Sequence, residues 1–244
     1  MSEKQLLSVD IEIANVFKLK PRQDLEDYAP FDISVAATGF ASGECKAWFT
    51  VDRKQRPKRY MAREQAAQIL EYLSTLQDEG VRVAAWNGVS FDLRWIGHVA
   101  RNMKLAGQVA LRSYDPMLQF FWARGFPVSL AKVGEAMGVK QQKLMHGSEA
   151  PLRWKKGDHK TVIEYVIGDV QITNQVVEAI ESARCIRWIN TRGDKSRQPI
   201  TELLPAYQVL RQPFPDQSWM DSPINPKKFY RWIPKTVLRK AQIR

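Results

Sequence analysis

The sequence predicts an α/β domain with a mixed β-sheet flanked by helices. Three β-rich segments come first, over residues 5–13, 31–40 and 45–51. From residue 62 onwards, helical and strand-like patterns alternate, and this order is typical of α/β domains. The chain has 244 residues, of which 44% are hydrophobic and 26% are charged, so it has ample apolar material for a buried core.

The first strands are predicted by alternation. Segment 5–13, QLLSVDIEI, carries apolar side chains at every second position: Leu7, Val9, Ile11 and Ile13. The polar residues 18–27 predict a loop. Segments 31–40 and 45–51 are joined by Ala-Ser-Gly-Glu, which predicts a β-hairpin.

The rest of the domain alternates between helices and short strands. Residues 62–77 place Ala66, Ile69, Leu70, Leu73 and Leu76 on one helical face. The segments that follow are a strand over 81–86, a helix over 91–103, a strand ending at Tyr114 and Asp115, a helix from Pro116, a helix over 129–137 stopped by Gly138, and a long helix that Thr161-x-x-Glu164 opens and that reaches about Ala183.

The C-terminal part has a different composition. Seven of the 13 prolines lie between Pro199 and Pro234, which predicts little regular structure there. A free tail is excluded by its apolar residues, which include Trp219, Phe229, Tyr230, Trp232 and Ile233. We therefore expect a domain over residues 1–186 and a basic, proline- and aromatic-rich extension over residues 187–244 that packs on the core.

Charge points to a polyanionic partner. The net charge is +11, and the residues after Ile186 contribute 12 basic against four acidic side chains. Nucleic acid is the leading partner for such a surface. The cations around Phe229 and Tyr230 leave two interpretations open: they bind a single strand together with the aromatic rings, or they are solvated while the rings pack on the core.

Several other classes are excluded. No apolar run approaches the 18 or so residues of a membrane-spanning helix, and acids interrupt the apolar N-terminal segment, unlike in a secretory signal. The two cysteines, Cys45 and Cys185, form neither a disulfide framework nor a zinc site. We expect a cytoplasmic protein without a membrane partner.

Four acids lie at otherwise apolar positions. Asp10 and Glu12 are two apart on the first strand and share one face. Asp92 follows a later strand, and Asp169 lies within the long helix. Clustered buried carboxylates repel each other and need neutralisation, and oxygen ligands without His or Cys favour Mg²⁺ or Mn²⁺.

The spacing of these acids is similar to that of a known superfamily. The segments VDIE at 9–12, WNGVSFD at 86–92 and Tyr165-x-x-x-Asp169 resemble, in order, the three exonuclease motifs of the DEDD superfamily. The resemblance is to its DEDDy branch of 3′–5′ exonucleases, which includes ribonuclease D and the proofreading domains of family A and B DNA polymerases. It covers roughly residues 5–183 and implies a ribonuclease H-like fold.

The resemblance also implies roles for single residues. The four carboxylates that would hold two divalent cations, Mg²⁺ or Mn²⁺, are Asp10, Glu12, Asp92 and Asp169. Tyr165 corresponds to the tyrosine that helps to orient the attacking water. The positions that would line the site of the terminal nucleotide are Ile11, Asn87 and Phe91. Relatives often have threonine where this chain has Ile13, which affects only those nucleotide contacts.

A basic cluster precedes the long helix. Arg153, Lys155 and Lys156 are candidate phosphate contacts because they lead into the helix that carries Asp169. A solvated helix face is the equally open alternative.

The expected function is two-metal-ion 3′–5′ exonucleolysis of single-stranded DNA or RNA, with release of nucleoside 5′-monophosphates. Two alternatives stay open: a structure-selective endonuclease on the same scaffold, and a nucleic-acid-binding subunit without turnover.

Overall fold

The central sheet of the protein is mixed and has helices on both faces. The structure is a computed structural model that describes residues 5–17, 23, 25–139 and 145–243. The strands of the described residues are β1 (Leu6–Ile13), β2 (Ile33–Phe40), β3 (Cys45–Trp48), β4 (Arg82–Ala84), β5 (Cys185–Ile189) and β6 (Lys195–Pro199). The first four form one sheet with strand order β3-β2-β1-β4, and β5 and β6 form a separate two-stranded sheet. This architecture confirms the predicted fold class.

The pairing explains the mixed character of the sheet. β1 pairs antiparallel with β2 and parallel with β4, and β2 pairs antiparallel with β3. The β2–β3 pair is the predicted hairpin. The predicted strand at Tyr114 is reduced to two isolated bridges, one parallel to Ala84 of β4 and one antiparallel to Pro205.

The helices surround this sheet. They are α1 (Arg63–Asp78), α2 (Asp92–Ala100), α3 (Met103–Arg112), α4 (Pro116–Arg124), α5 (Leu130–Met137), α6 (Ala150–Lys155), α7 (His159–Ala183), α8 (Ala206–Arg211) and α9 (Lys235–Lys240). Short 3₁₀ turns occupy Leu25–Tyr28, Gly147–Glu149 and Pro226–Phe229. No helix within the described ranges combines the length and the apolar character needed to cross a bilayer.

β1 is buried on both faces, and each face has its own role. Its odd-numbered residues, Leu7, Val9 and Ile11, join the main core with apolar residues of α1, α2 and α3. Its even-numbered residues turn to the opposite face, where Ser8 bonds to Asn174 of α7. The polar side chains that alternate with the apolar ones along β1 therefore face α7 instead of solvent.

α7 packs directly on β1 and β2. Val166 and Val170 form a buried cluster with Val35 and Ala37 of β2. Gly39 of β2 permits this close approach, because a methyl group at that position would lie 3.0 Å from Val170 Cγ2.

A buried amide fixes α7 along the sheet. Ser8 Oγ donates to Asn174 Oδ1 at 2.7 Å, and Asn174 Nδ2 donates to the Gly39 carbonyl at 2.8 Å. Buried polar groups are costly when they lose their partners, so this pair of bonds holds α7 in one position over both strands.

The C-terminal residues lie against the core. Phe229 and Tyr230, only 3% and 2% exposed, belong to the main core cluster. The Phe229 ring centre lies 4.5 Å from that of Phe121 in α4. The division at residue 186 falls within β5, and the assignment of residues 187–244 as an extension stays a prediction.

Several predicted boundaries were wrong. The helix predicted over 91–103 corresponds to α2, which ends at Ala100 because Arg101 adopts a left-handed conformation, and α3, which Asn102 caps, was not predicted. α7 begins at His159, so Thr161 lies inside its first turn and is not the N-cap. The hairpin of β5 and β6 was not predicted. Within the predicted loop 18–27, residues 18–22 and 24 lie outside the described residues, and the 3₁₀ turn begins at Leu25.

We predict that Asn174→Ala lowers the free energy of unfolding by about 2–3 kcal/mol, because it removes two buried hydrogen bonds and leaves the Gly39 carbonyl unsatisfied. Denaturant unfolding of the purified variant measures this loss. Gln175→Ala, at the adjacent exposed position of the same helix, is the matched control and should change stability by less than about 0.5 kcal/mol. Equal losses in both variants would contradict a stabilising role for the buried amide.

Candidate metal centre and active site

Three carboxylates meet where β1 faces α7. Asp10, Glu12 and Asp169 each offer an oxygen atom, and these atoms all lie within 4.8 Å of one another. The period of two along β1 places Asp10 and Glu12 on the face that α7 covers. The bonds of Asn174, five residues after Asp169, fix the helix in register with that strand. The strand and the helix together thus create the cluster.

Asp92 adjoins this cluster without belonging to the group of three. It is the first residue of α2 and is 4% exposed, and its Oδ1 accepts a hydrogen bond from the Ile11 backbone N–H at 3.0 Å. The Ile11 N–H lies between the two acids of β1, so Asp92 is bound to the same stretch of backbone that carries them.

Mutual repulsion and burial make these carboxyl groups hard to ionise. The pKa of Asp10 is raised well above its usual range, first by burial and then by the charges of Asp92, Asp169 and Glu12. Burial and the same aspartates raise the pKa of Glu12. Burial also raises the pKa of Asp92 to about 7, although backbone hydrogen bonds from Asp92 and Ile11 oppose the rise.

Tyr165 lies one helical turn before Asp169 and donates its hydroxyl hydrogen to that carboxylate. Burial and then the charge of Asp169 raise the pKa of Tyr165, so the hydroxyl stays protonated at neutral pH. The 3₁₀ turn at Gly147 lies near this hydroxyl, since a Cβ at Gly147 would be 3.4 Å from Tyr165 Oη.

Asp115 organises the turn that leads to Asp92. Its carboxylate accepts hydrogen bonds from the backbone N–H groups of Asn87 at 3.0 Å and Val89 at 3.1 Å, and it caps α4 by accepting from Leu118 N–H at 3.0 Å. Burial raises its pKa to about 6 even though these bonds favour the charged form. Asp115 is therefore a structural residue behind the site.

An apolar cavity of about 480 Å³ opens beside the carboxylates. Ile11, Glu12 and Phe91 line it, so the structure places two of the three predicted nucleotide contacts next to the cluster. Its other lining residues include Phe17, Pro151 and Leu152, which the sequence analysis did not identify.

The third predicted contact, Asn87, lies in a neighbouring groove. It lines a second depression of about 630 Å³ together with Trp86 and Phe91. Its backbone has a positive φ of 65°, a conformation that asparagine tolerates better than most residues. Phe91 lines both the cavity and the groove, so the two are adjacent.

The basic cluster before α7 does not line either depression. The guanidinium of Arg153 forms ion pairs with Glu149 at 2.9 Å and Asp158 at 3.2 Å. Lys155 and Lys156 lie exposed at the end of α6. The assignment of these three residues as phosphate contacts stays a prediction, and the charge of Arg153 is already paired with two acids.

The donor set suits a hard divalent cation. All the clustered ligand atoms are carboxylate oxygens, which Mg²⁺ and Mn²⁺ prefer, and a bound cation would relieve the repulsion that raises the pKa values. Asp10, Glu12 and Asp169 could therefore hold a metal ion.

Comparison with known proteins identifies two nucleic-acid enzymes among similar solved structures. One is a family B DNA polymerase from the hyperthermophilic archaeon Pyrobaculum calidifontis, with 17% identity over 73% of this chain and 24% of that chain and a TM-score of 0.49. The other is exonuclease I, with 14% identity over 74% of this chain and 41% of that chain and a TM-score of 0.42. The chain thus spans less than half the length of either protein. No family model matches the sequence, and no curated protein matches it.

We predict that the stability of the metal-free protein falls as pH rises. Carboxyl groups with raised pKa values in the folded state bind protons more tightly than in the unfolded state, so the contribution of Asp92 is complete below about pH 4 and is lost as pH passes its folded-state pKa of about 7. In EDTA, the free energy of unfolding should fall by roughly 2–4 kcal/mol between pH 5 and 8. Adding Mg²⁺ or Mn²⁺ at pH 8 should restore part of it.

Asp10→Asn separates this effect from other titrations, because it removes one repelling charge and should flatten the pH dependence. Glu178→Gln removes an exposed acid from α7, the helix that carries Asp169, and should leave the pH dependence of the free energy of unfolding as in the wild type. If the free energy of unfolding fell with pH to the same extent in the wild type and in Asp10→Asn, repulsion within the carboxylate cluster would not be the cause of the pH dependence.

Proposed function

We propose that this chain is a metal-dependent 3′–5′ exonuclease that hydrolyses single-stranded DNA or RNA and releases nucleoside 5′-monophosphates. One observation carries the proposal: carboxylate oxygens of Asp10, Glu12 and Asp169 lie within 4.8 Å of one another, Asp92 and Tyr165 adjoin them, and Glu12 also lines an apolar cavity. The three segments that resemble the exonuclease motifs thus come together in space, although they are separated by up to 160 residues in sequence.

The proposed chemistry needs ions and a positioned water molecule. Two divalent cations, Mg²⁺ or Mn²⁺, would supply an activated water and stabilise the charge of the leaving oxygen when bound to these carboxylates. Asp92 would complete the ligand set from its place beside the Ile11 N–H.

The other residues of the site would orient the reactants. The Tyr165 hydroxyl stays protonated and is fixed by Asp169, so it would orient the attacking water as a hydrogen-bonding group and not as a base. Ile11 and Phe91 would contact the terminal nucleotide through the apolar wall of the cavity.

The direct test is incubation of the purified protein with 5′-labelled single-stranded DNA and RNA of matched sequence, in Mg²⁺, Mn²⁺ or EDTA. We expect a ladder that shortens from the 3′ end in the presence of metal and intact substrate in EDTA. A 3′-phosphate on the same oligonucleotides should slow degradation. Unimpaired internal cleavage of the blocked strands would favour an endonuclease and contradict the proposal.

We predict that Asp10→Ala and Asp169→Ala each lower the hydrolysis rate by at least about 10³-fold, because each removes a carboxylate that would position transition-state charge stabilisation. The fold should persist, since loss of one repelling carboxylate relieves repulsion in the metal-free protein. Single-turnover assays measure the rate, and circular dichroism checks the fold. Near wild-type turnover by folded Asp10→Ala protein would overturn the assignment.

A separate prediction concerns the Tyr165 hydroxyl. Tyr165→Phe keeps the ring and removes only the hydroxyl, so kcat should fall by about 10-fold to 10³-fold while substrate affinity stays nearly constant. Steady-state kinetics over a range of oligonucleotide concentrations distinguishes the two parameters. An unchanged kcat would reduce Tyr165 to a packing residue.

A further inference from the structure

The groove that contains Asn87 is built partly from the C-terminal segment. Its lining includes Trp86, Asn87 and Phe91 on one side and Lys228 and Arg231 on the other. The groove and the apolar cavity beside the carboxylates share Leu25 and Phe91. A strand whose end lies in the cavity would therefore pass from it directly into the groove.

The C-terminal segment is firmly placed beside this groove. Phe229, Tyr230 and Ile233 are buried in the main core. Trp232 Nε1 donates a hydrogen bond at 2.8 Å to the carbonyl of Val89, in the turn that leads to Asp92. The Ile233 side chain lies so close to α3 that a methyl group on Gly107 would meet its Cγ2 at 2.7 Å. The segment thus forms a fixed wall of the groove.

The rings and the cations of this segment have separate positions. The Phe229 and Tyr230 rings pack inward, so they are not available to stack on bases. Lys228 and Arg231 are exposed and turn towards the groove. Lys228 lies within the 3₁₀ turn and Arg231 two residues after its end, and both line the groove.

These two cations differ from the other positive charge in the groove. Arg94 is paired with Glu26 at 2.7 Å. Within the part of the chain that the structure describes, no carboxylate lies within ion-pair distance of Lys228 or Arg231. Their charges are therefore available to an external anion.

We propose that Lys228 and Arg231 form a phosphate-binding site for the single strand that leads to the metal centre. This inference rests on the proposed function and adds a substrate-binding role for the C-terminal segment. The chemistry that they would recognise is the sugar-phosphate backbone next to the terminal nucleotide, since Lys and Arg contribute affinity through phosphates and carry little sequence information.

Lys227 supplies a matched control. It is exposed and belongs to the same 3₁₀ turn, yet it does not line the groove. Neighbouring residues in such a turn point about 120° apart, which explains the difference from Lys228. Lys227→Gln therefore removes a positive charge from the same turn without changing the lining of the groove. Lys228→Gln and the double variant Lys228→Gln/Arg231→Gln remove positive charges from the lining itself.

The experiment measures binding of a 5′-fluorescein-labelled single-stranded oligonucleotide by anisotropy at 50–300 mM salt. All variants carry Asp10→Ala and are kept in EDTA, so that substrate is not degraded. Each phosphate contact contributes about 0.7 to the slope of log K against log salt for single strands. The double variant should therefore lose about 1.4 from the slope and weaken binding about 10-fold to 100-fold at 50 mM salt. Lys227→Gln should leave the slope unchanged.

An unchanged slope in the double variant, or an equal change in Lys227→Gln, would overturn the proposal. Its failure is distinguishable from failure of the exonuclease assignment. Degradation by the otherwise wild-type protein with unchanged salt slopes would reject only the phosphate site, whereas absence of degradation with a reduced slope would reject only the activity.

Discussion

Asn174 holds α7 against the two central strands, because its side chain accepts from Ser8 Oγ and donates to the Gly39 carbonyl. The position of every clustered acid depends on this contact. Asp169 is on the same helix as Asn174, and Asp10 is on the same strand as Ser8. Without the packing and these two bonds, the repulsion and burial that raise the carboxyl pKa values would drive helix and strand apart. The bonds of Asn174 and the packing around them therefore offset the repulsion among the neighbouring carboxylates.

The period of β1 links the core to the cluster. Leu7, Val9 and Ile11 fill the main core on one face, and the residues between them face α7. A shift of one residue in the pairing with β2 would bury the acids in the apolar core and expose the core residues to α7. The apolar half of the strand thus fixes the register that brings the polar half to the carboxylate cluster, and the core and the candidate site are specified by the same eight-residue strand.

Local patterns predicted most of the elements but few of the long-range contacts. The alternation in β1, the proline that opens α4 and the Ser129 and Gly138 caps of α5 are local signals, and the structure contains each element. The break between α2 and α3 has no glycine to mark it, because Arg101 adopts the left-handed conformation. The motif spacing identified acids that could share a site, while the bond between Ser8 and Asn174 and the cavity wall at Leu152 depend on long-range packing that periodicity does not encode.

Composition alone also left the C-terminal segment ambiguous, since cations interleaved with aromatic rings suit both a nucleic-acid surface and a packed extension. Burial resolves the ambiguity differently for each residue type: Phe229 is inside, and Arg231 lines the groove. This separation matters electrostatically. A cluster of carboxylates repels a polyanion, so the nucleic-acid hydrolysis proposed for this site would need positive charge both within the cluster and along the approach to it. Metal ions would meet the first need, and the net positive charge of the C-terminal residues, fixed in place by buried rings, would meet the second.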